Sequence, residues 1–171
     1  MDFRQWPGPA GQLHYGGDQI LFKLVIVQKE AFMAIRIVQL GSARTPNEGL
    51  RIGTVRRPPR GVPKSEFASG NWYDVWYPNL APSVETMKMG QGAETDAQWK
   101  AFEKAYRREM KEPDASHTLS LLAALSHRSD FSVGCYCQQE SRCHRSILRH
   151  LLTEAGAEIL QQGTTTPSLR S

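Results

Sequence analysis

Phe131-Ser132-Val133-Gly134-Cys135-Tyr136-Cys137-Gln138-Gln139-Glu140-Ser141-Arg142-Cys143-His144-Arg145-Ser146-Ile147-Leu148 is the stretch on which the reading of the fold turns. Phe131 to Cys135 alternates apolar and small residues, as a short strand does. Gln138 to Ser141 is polar and reads as a tight loop. Ser141 is placed to cap a helix from Arg142 to about Ala155, with Ile147, Leu148, Leu151 and Leu152 facing inward and Gly156 ending it. A strand, a tight loop and a helix start in that order are the unit of an α/β domain. The first turn of a helix has unpaired N–H groups and a partial positive charge, so an anion or a thiolate is stabilised there.

Working towards the N-terminus, Ile35 to Leu40 and Leu50 to Arg56 read as strands, and Pro58, Pro59 and Pro63 force an extended loop after the second. Trp72 to Tyr77 reads as a short extended piece. Residues 96–111 are predicted to be a helix, with Thr95 and Gln98 as a capping box and Trp99, Phe102, Tyr106 and Met110 on one stripe of core contacts. Residues 115–127 give another helix, capped by Asp114, and Ala157 to Leu160 a last strand. Nine residues between the first two strands are short for a crossover between parallel neighbours.

The ends of the chain read differently. Trp6 to Gly17 is rich in Pro and Gly, Leu21 to Val27 could pair as a strand, and Met33 resembles a natural start. Residues 1–32 are therefore expected to be an N-terminal extension, upstream of a single α/β domain at 33–160, with a disordered tail at 161–171.

A chain of 171 residues with 40% hydrophobic and 22% charged residues suits one soluble domain. The longest apolar run, Ile20 to Val27, is too short to span a bilayer, so the expectation is a cytoplasmic protein with no membrane partner. Three cysteines within nine positions do not form a secreted disulfide framework. They point to thiol or metal chemistry instead. The net charge of +4 is modest, but Arg51, Arg56, Arg57, Arg60 and Lys64 run without an acid between Glu48 and Glu66.

Two constellations follow. Cys143 and Cys137 are the candidate nucleophiles, since thiols near a helix start and guanidinium groups ionise readily, and His144 is a candidate for proton transfer. Arg56, Arg60, Arg142, Arg145 and Ser42, just past the first strand, are the candidate ligand-binding residues; guanidinium forks match phosphate oxygens. The expected ligand is small and phosphorylated or otherwise anionic, with nucleic acid on the basic loop as an alternative. No cofactor is required. Zinc on Cys135, Cys137, Cys143 and His144, or a thiol-redox role, is the other alternative, although Cys-x-Cys is tight for zinc. The absence of Walker, Gly-x-Gly-x-x-Gly and Gly-x-Ser-x-Gly sequences lowers the common nucleotide and hydrolase classes.

From about Ile35 to Gly156 the chain resembles the family called domain of unknown function 488. The resemblance rests on Arg51-Ile52 leading into Arg56-Arg57-Pro58-Pro59-Arg60-Gly61, on Trp76 and Ala81-Pro82-Ser83, on the aromatic helix and on Cys143-His144-Arg145. The helix and the arginine loop look like the short, YeaO-like branch; the Cys-His-Arg ending looks like the longer branch. The resemblance implies a Rossmann-like three-layer α/β fold with a mostly parallel sheet, and places Arg56 near Cys143 and Arg145. Relatives carry an Asp just before the arginine loop, where this chain has Thr54 and Val55.

Overall fold

β-branched runs bounded by glycine and polar turns become four short parallel strands in the computed structural model, which describes residues 33–160. They are β1 (Ile35–Gln39), β2 (Leu50–Gly53), β3 (Val75–Trp76) and β4 (Phe131–Cys135). Their order across the sheet is β1-β4-β2-β3. β1 pairs with β4 from Ile35↔Phe131 to Gln39↔Cys135, and β2 pairs with β4 from Leu50↔Phe131 to Gly53↔Gly134. β4 thus lies at the centre with all five residues buried, as expected of a strand covered on both faces. The expected last strand is reduced to a single parallel bridge between Ile159 and Ile35.

Four helices complete an α/β three-layer fold: α1 (Val84–Gln91), α2 (Asp96–Glu109), α3 (Pro113–Ser126) and α4 (His144–Glu154). Ile35, Ile37, Phe131 and Val133 point from one sheet face into a core shared with Phe102, Tyr106 and Met110 at α2, Leu119 and Leu122 of α3, and Ile147, Leu148 and Leu152 of α4. Each such side chain contributes about 1.5–3 kcal/mol on burial, and truncating the fully buried Leu148 to Ala would cost about 2–5 kcal/mol. Gly156, at φ 88°, follows the last turn of α4; a side chain there would be strained.

The nine-residue link after Leu40 is explained by the strand order. β1 and β2 are not neighbours; β4 stands between them. The link returns to the start of β2 through two glycines in left-handed conformations. Gly41, at φ 86°, lets the Trp72 ring approach to 2.8 Å of where a Cβ would sit, and a Cβ on Gly49, at φ 73°, would run into the carbonyl of Asp130. The link is tied down by an ion pair that the sequence reading had placed elsewhere. Arg51, read as a strand residue and counted in the basic run, is fully buried. Its Nε and Nη2 donate to the two oxygens of Glu48 at 2.6 and 2.8 Å, and its Nη1 donates to the carbonyls of Ser42 and Asn71.

Several boundaries differ from expectation. β2 ends at Gly53, three residues before Arg56, because the chain then turns away from β4. Asp114 lies inside the first turn of α3, and Glu112 is the N-cap, with Pro113 opening the helix. Ser141 does not cap α4; Cys143 does. α1 was not anticipated. It is a short helix with a single buried side chain, Thr86, started by the Ser83 hydroxyl accepting from the Thr86 N–H. The capping box at Thr95 and Gln98 is present as read. The expected strand at Leu21–Val27, the extension at 1–32 and the tail at 161–171 lie outside the described residues.

Candidate functional site

Beyond the last β2–β4 pair, the Thr54 N–H and hydroxyl both donate to the Gly134 carbonyl, at 3.0 and 2.9 Å. There the two chains part. One becomes Val55-Arg56-Arg57-Pro58-Pro59-Arg60; the other becomes Cys135-Tyr136-Cys137 and the loop into α4. The gap between them is a cleft of about 810 Å³ at the carboxyl ends of the strands, the place where open α/β sheets bind ligands. Arg56, Arg57, Arg60, Arg142, Ser42, all three cysteines and His144 line it, with Trp72, Tyr136, Trp99 and Phe102 among its apolar walls.

The loops around the cleft are held by specific bonds. The Tyr136 hydroxyl donates to the carbonyl of Arg57 at 3.2 Å, which joins the two loops. Trp76 donates through its ring N–H to the Val55 carbonyl at 2.7 Å. Arg145 donates through Nη2 to the Gln138 carbonyl at 3.0 Å, and Arg149 pairs with Glu140 at 2.6 Å. The start of α4 is therefore positioned by its own first turns.

The three sulfurs converge, all within 4.8 Å of one another and close enough to share a metal ion. Cys135 and Cys143 are buried, while Cys137 is exposed. The Cys135 thiol donates to the Cys137 sulfur at 3.7 Å. That donation, a second from Cys143, and the positive charge of Arg145 push the Cys137 thiol well below the ordinary thiol range, against the cost of its partial burial. The thiols of Cys135 and Cys143 are correspondingly pushed up. One negative charge is shared by three sulfurs and rests on the exposed one.

His144 is buried against Tyr106, whose ring meets it edge-on at 5.6 Å. Burial lowers its pKa to about 4, so the ring is neutral at pH 7. Its Nε2 lies 2.9 Å from the carbonyl of Thr54. A carbonyl only accepts, so Nε2 carries the proton. Nδ1 then presents a lone pair, 3.8 Å from the Cys143 sulfur.

The family model described as the active DUF488-N3 subclade matches residues 35–156. That span contains both loops of the cleft and every helix among the described residues. The chain belongs to the DUF488 family. No curated protein and no solved structure matches it.

In this DUF488 chain the candidate residues fall into three groups. Cys137, Arg60, Arg142 and Ser42 reach the cleft surface, although Arg142 also pairs with Asp96 at 2.7 Å and lies over the Trp99 ring. Cys143, His144 and Cys135 line its floor and are buried. Arg56 and Arg145 are structurally engaged. Arg56 donates to the carbonyls of Ala81 and Pro82 at 2.7–3.0 Å, fastening the loop to the segment before α1. Arg145 does not line the cleft; it is buried beneath the Gln138 loop, with Nε and Nη1 lacking a hydrogen-bond partner among the described residues.

Sequence reasoning missed Thr54, because its contribution is a backbone carbonyl and no side-chain signature exists for that. It also assigned Trp99 and Phe102 to packing alone. They do pack, with ring centroids 4.8 Å apart, but both also face the cleft. The DUF488 resemblance implies an Asp before the arginine loop that this chain lacks; in that region the Thr54 carbonyl accepts a hydrogen bond from the His144 imidazole.

Proposed function

We propose that this corner binds a small phosphorylated or otherwise anionic ligand and that Cys137 is the nucleophile that attacks it. One observation carries the reading. An exposed sulfur with its negative charge stabilised faces the same cleft as the exposed arginines of the Pro58-Pro59 loop. The prolines stiffen that loop, so Arg57 and Arg60 lose little freedom when they clamp an anion. Anion binding at the rim would bring an electrophilic centre to the sulfur, and holding the two together supplies much of the rate of such a step.

The roles divide by burial. Arg57 and Arg60 neutralise the ligand's charge, and Arg142 stands across the cleft. Cys137 forms the new bond to the electrophilic centre as the leaving group departs with the bonding pair. His144 Nδ1, whose lone pair lies 3.8 Å from the Cys143 sulfur, takes a proton from the water that would release the covalent intermediate. Arg56 acts through the loop it fastens, and Arg145 through the positive charge it holds near Cys137. The subclade's description as active fits an enzyme better than a passive binding module.

The test is alkylation of Cys137 in chelator-treated protein. Inorganic phosphate or a nucleoside monophosphate should slow carbamidomethylation of Cys137 at least about fivefold, and Arg60→Ala should weaken that protection. Equal rates with and without phosphate, sulfate and the nucleotide would overturn the proposal.

A further inference from the structure

Three sulfurs meeting at one point also satisfy a different chemistry. We propose that Cys135, Cys137 and Cys143 bind one thiophilic divalent cation of the Zn2+ class, with the fourth coordination position opening into the cleft. In a tetrahedral site with metal–sulfur bonds of about 2.3 Å, the sulfurs stand about 3.8 Å apart. Cys135 and Cys137 already lie at 3.7 Å. All three pairs fall within 4.8 Å, so full closure asks for inward movement of no more than about 1 Å.

The sulfurs are also carried on fixed elements. Cys135 ends the central strand, and its carbonyl accepts from Leu40 at 2.9 Å. Cys143 caps α4, and its N–H donates to Glu140 at 3.0 Å. Only Cys137 sits on an exposed turn, where it can close over an arriving ion.

Charge supports the same site. Three thiolates around a divalent ion leave one net negative charge. Arg145, which is 3% exposed, offers two guanidinium nitrogens with no partner among the described residues, and the N-terminus of α4 adds its partial positive charge. A buried cation with unfilled donors is costly unless an anionic group stands near it.

His144 borders the site without completing it. Its Nδ1 is 3.8 Å from Cys143 Sγ but does not belong to the set of ligand atoms within 4.8 Å of one another. With Nε2 fastened to Thr54, the ring is not free to swing in. The fourth position is thus left to a ligand from the cleft. The site uses the same sulfur as the proposed nucleophile, so a bound metal and free Cys137 exclude each other; neither reading rests on the other.

Cobalt(II) reports the outcome directly. Titrating reduced, metal-free full-length protein with Co2+ alone should give sulfur-to-cobalt charge-transfer absorption and tetrahedral d–d bands that saturate at one equivalent, and Zn2+ should displace the cobalt. Adding azide or phosphate should then shift the d–d bands, because the fourth position is open. Cys137→Ser should weaken cobalt binding by more than about 100-fold, beyond the loss typical of changes outside the ligand shell; circular dichroism of the metal-free variant checks its fold. His144→Gln should leave the stoichiometry at one. No charge-transfer band, a band unaffected by Cys137→Ser, or loss of binding in a folded His144→Gln protein would overturn the proposal. Failure of phosphate to protect Cys137 in chelated protein would leave these spectra unchanged, so the two proposals fail separately.

Discussion

Two buried arginines, Arg51 in β2 and Arg145 in α4, do opposite things. Arg51 bonds Glu48 twice and two carbonyls besides, and Ser132 and the Thr45 N–H complete the Glu48 carboxylate. Every guanidinium nitrogen of Arg51 has a partner, and neither Arg51 nor Glu48 lines the cleft. Among the described residues Arg145 bonds only Gln138, and two of its nitrogens have no partner there, near three convergent sulfurs. The lesson is that burial alone does not distinguish framework from working site. Satisfaction does: a well-bonded polar cluster fixes the fold, whereas an incompletely bonded one behind a cleft floor marks the proposed site.

The contrast can be broken most forcefully at the bonded end. Arg51→Met would leave Glu48 charged, buried and without its main partner, and the expected loss is about 3–5 kcal/mol of stability by denaturant unfolding. A loss below about 1 kcal/mol would show that the knot does not hold the link between β1 and β2.

Glu48 gives the same comparison a pH signature. Burial alone would raise its pKa, but hydrogen bonds from Arg51, Ser132 and Thr45 outweigh that and the net shift is downward. The folded state therefore holds its proton more weakly than the unfolded chain does. The carboxylate's contribution to stability is complete above the unfolded pKa of about 4.5 and disappears as pH falls through the lower folded value. Urea midpoints measured from pH 6 downwards should fall less steeply in Glu48→Gln than in the wild type, and parallel curves would contradict this.

The smallest expected effect lies at the other arginine. Arg145→Met gives up one hydrogen bond and relieves two unfilled donors, so stability should change by less than about 1 kcal/mol. The pH at which the Cys137 alkylation rate begins to fall should nevertheless move upward, because a nearby positive charge is gone. A large loss of stability with an unchanged rate profile would reverse the assignment of Arg145 and make it a framework residue like Arg51.

Much of this arrangement was legible in the sequence. The segment from Phe131 to Gly156 reads as strand, loop and helix because its apolar spacing changes from the short strand to the helical run, with Gly156 marking the stop. The proximity of Arg56 to the cysteine corner also follows from two parallel strands ending at one edge, and β2 and β4 are direct neighbours. What stayed hidden depends on distant chain segments meeting. Arg51 looked like the first charge of a basic run because a sequence does not show that Glu48 folds back over it. Ser141 looked like a helix cap because its residue type suits the position; instead it is exposed, and Cys143 takes the cap, its carbonyl accepting from the Ser146 N–H. α1 carried no signal because only Thr86 of its eight residues is buried.

The account depends above all on Cys137 being ionised at neutral pH while its two neighbours remain thiols. The direct measurement is the carbamidomethylation rate of each cysteine, resolved by peptide mass spectrometry, in chelator-treated protein from pH 9 to pH 6. Cys137 should react first and keep a nearly constant rate across the range, with Cys135 and Cys143 unmodified until the fold is lost. A Cys137 rate that falls about tenfold per pH unit below an ordinary thiol pKa near 8.5, or equal labelling of all three, would contradict it.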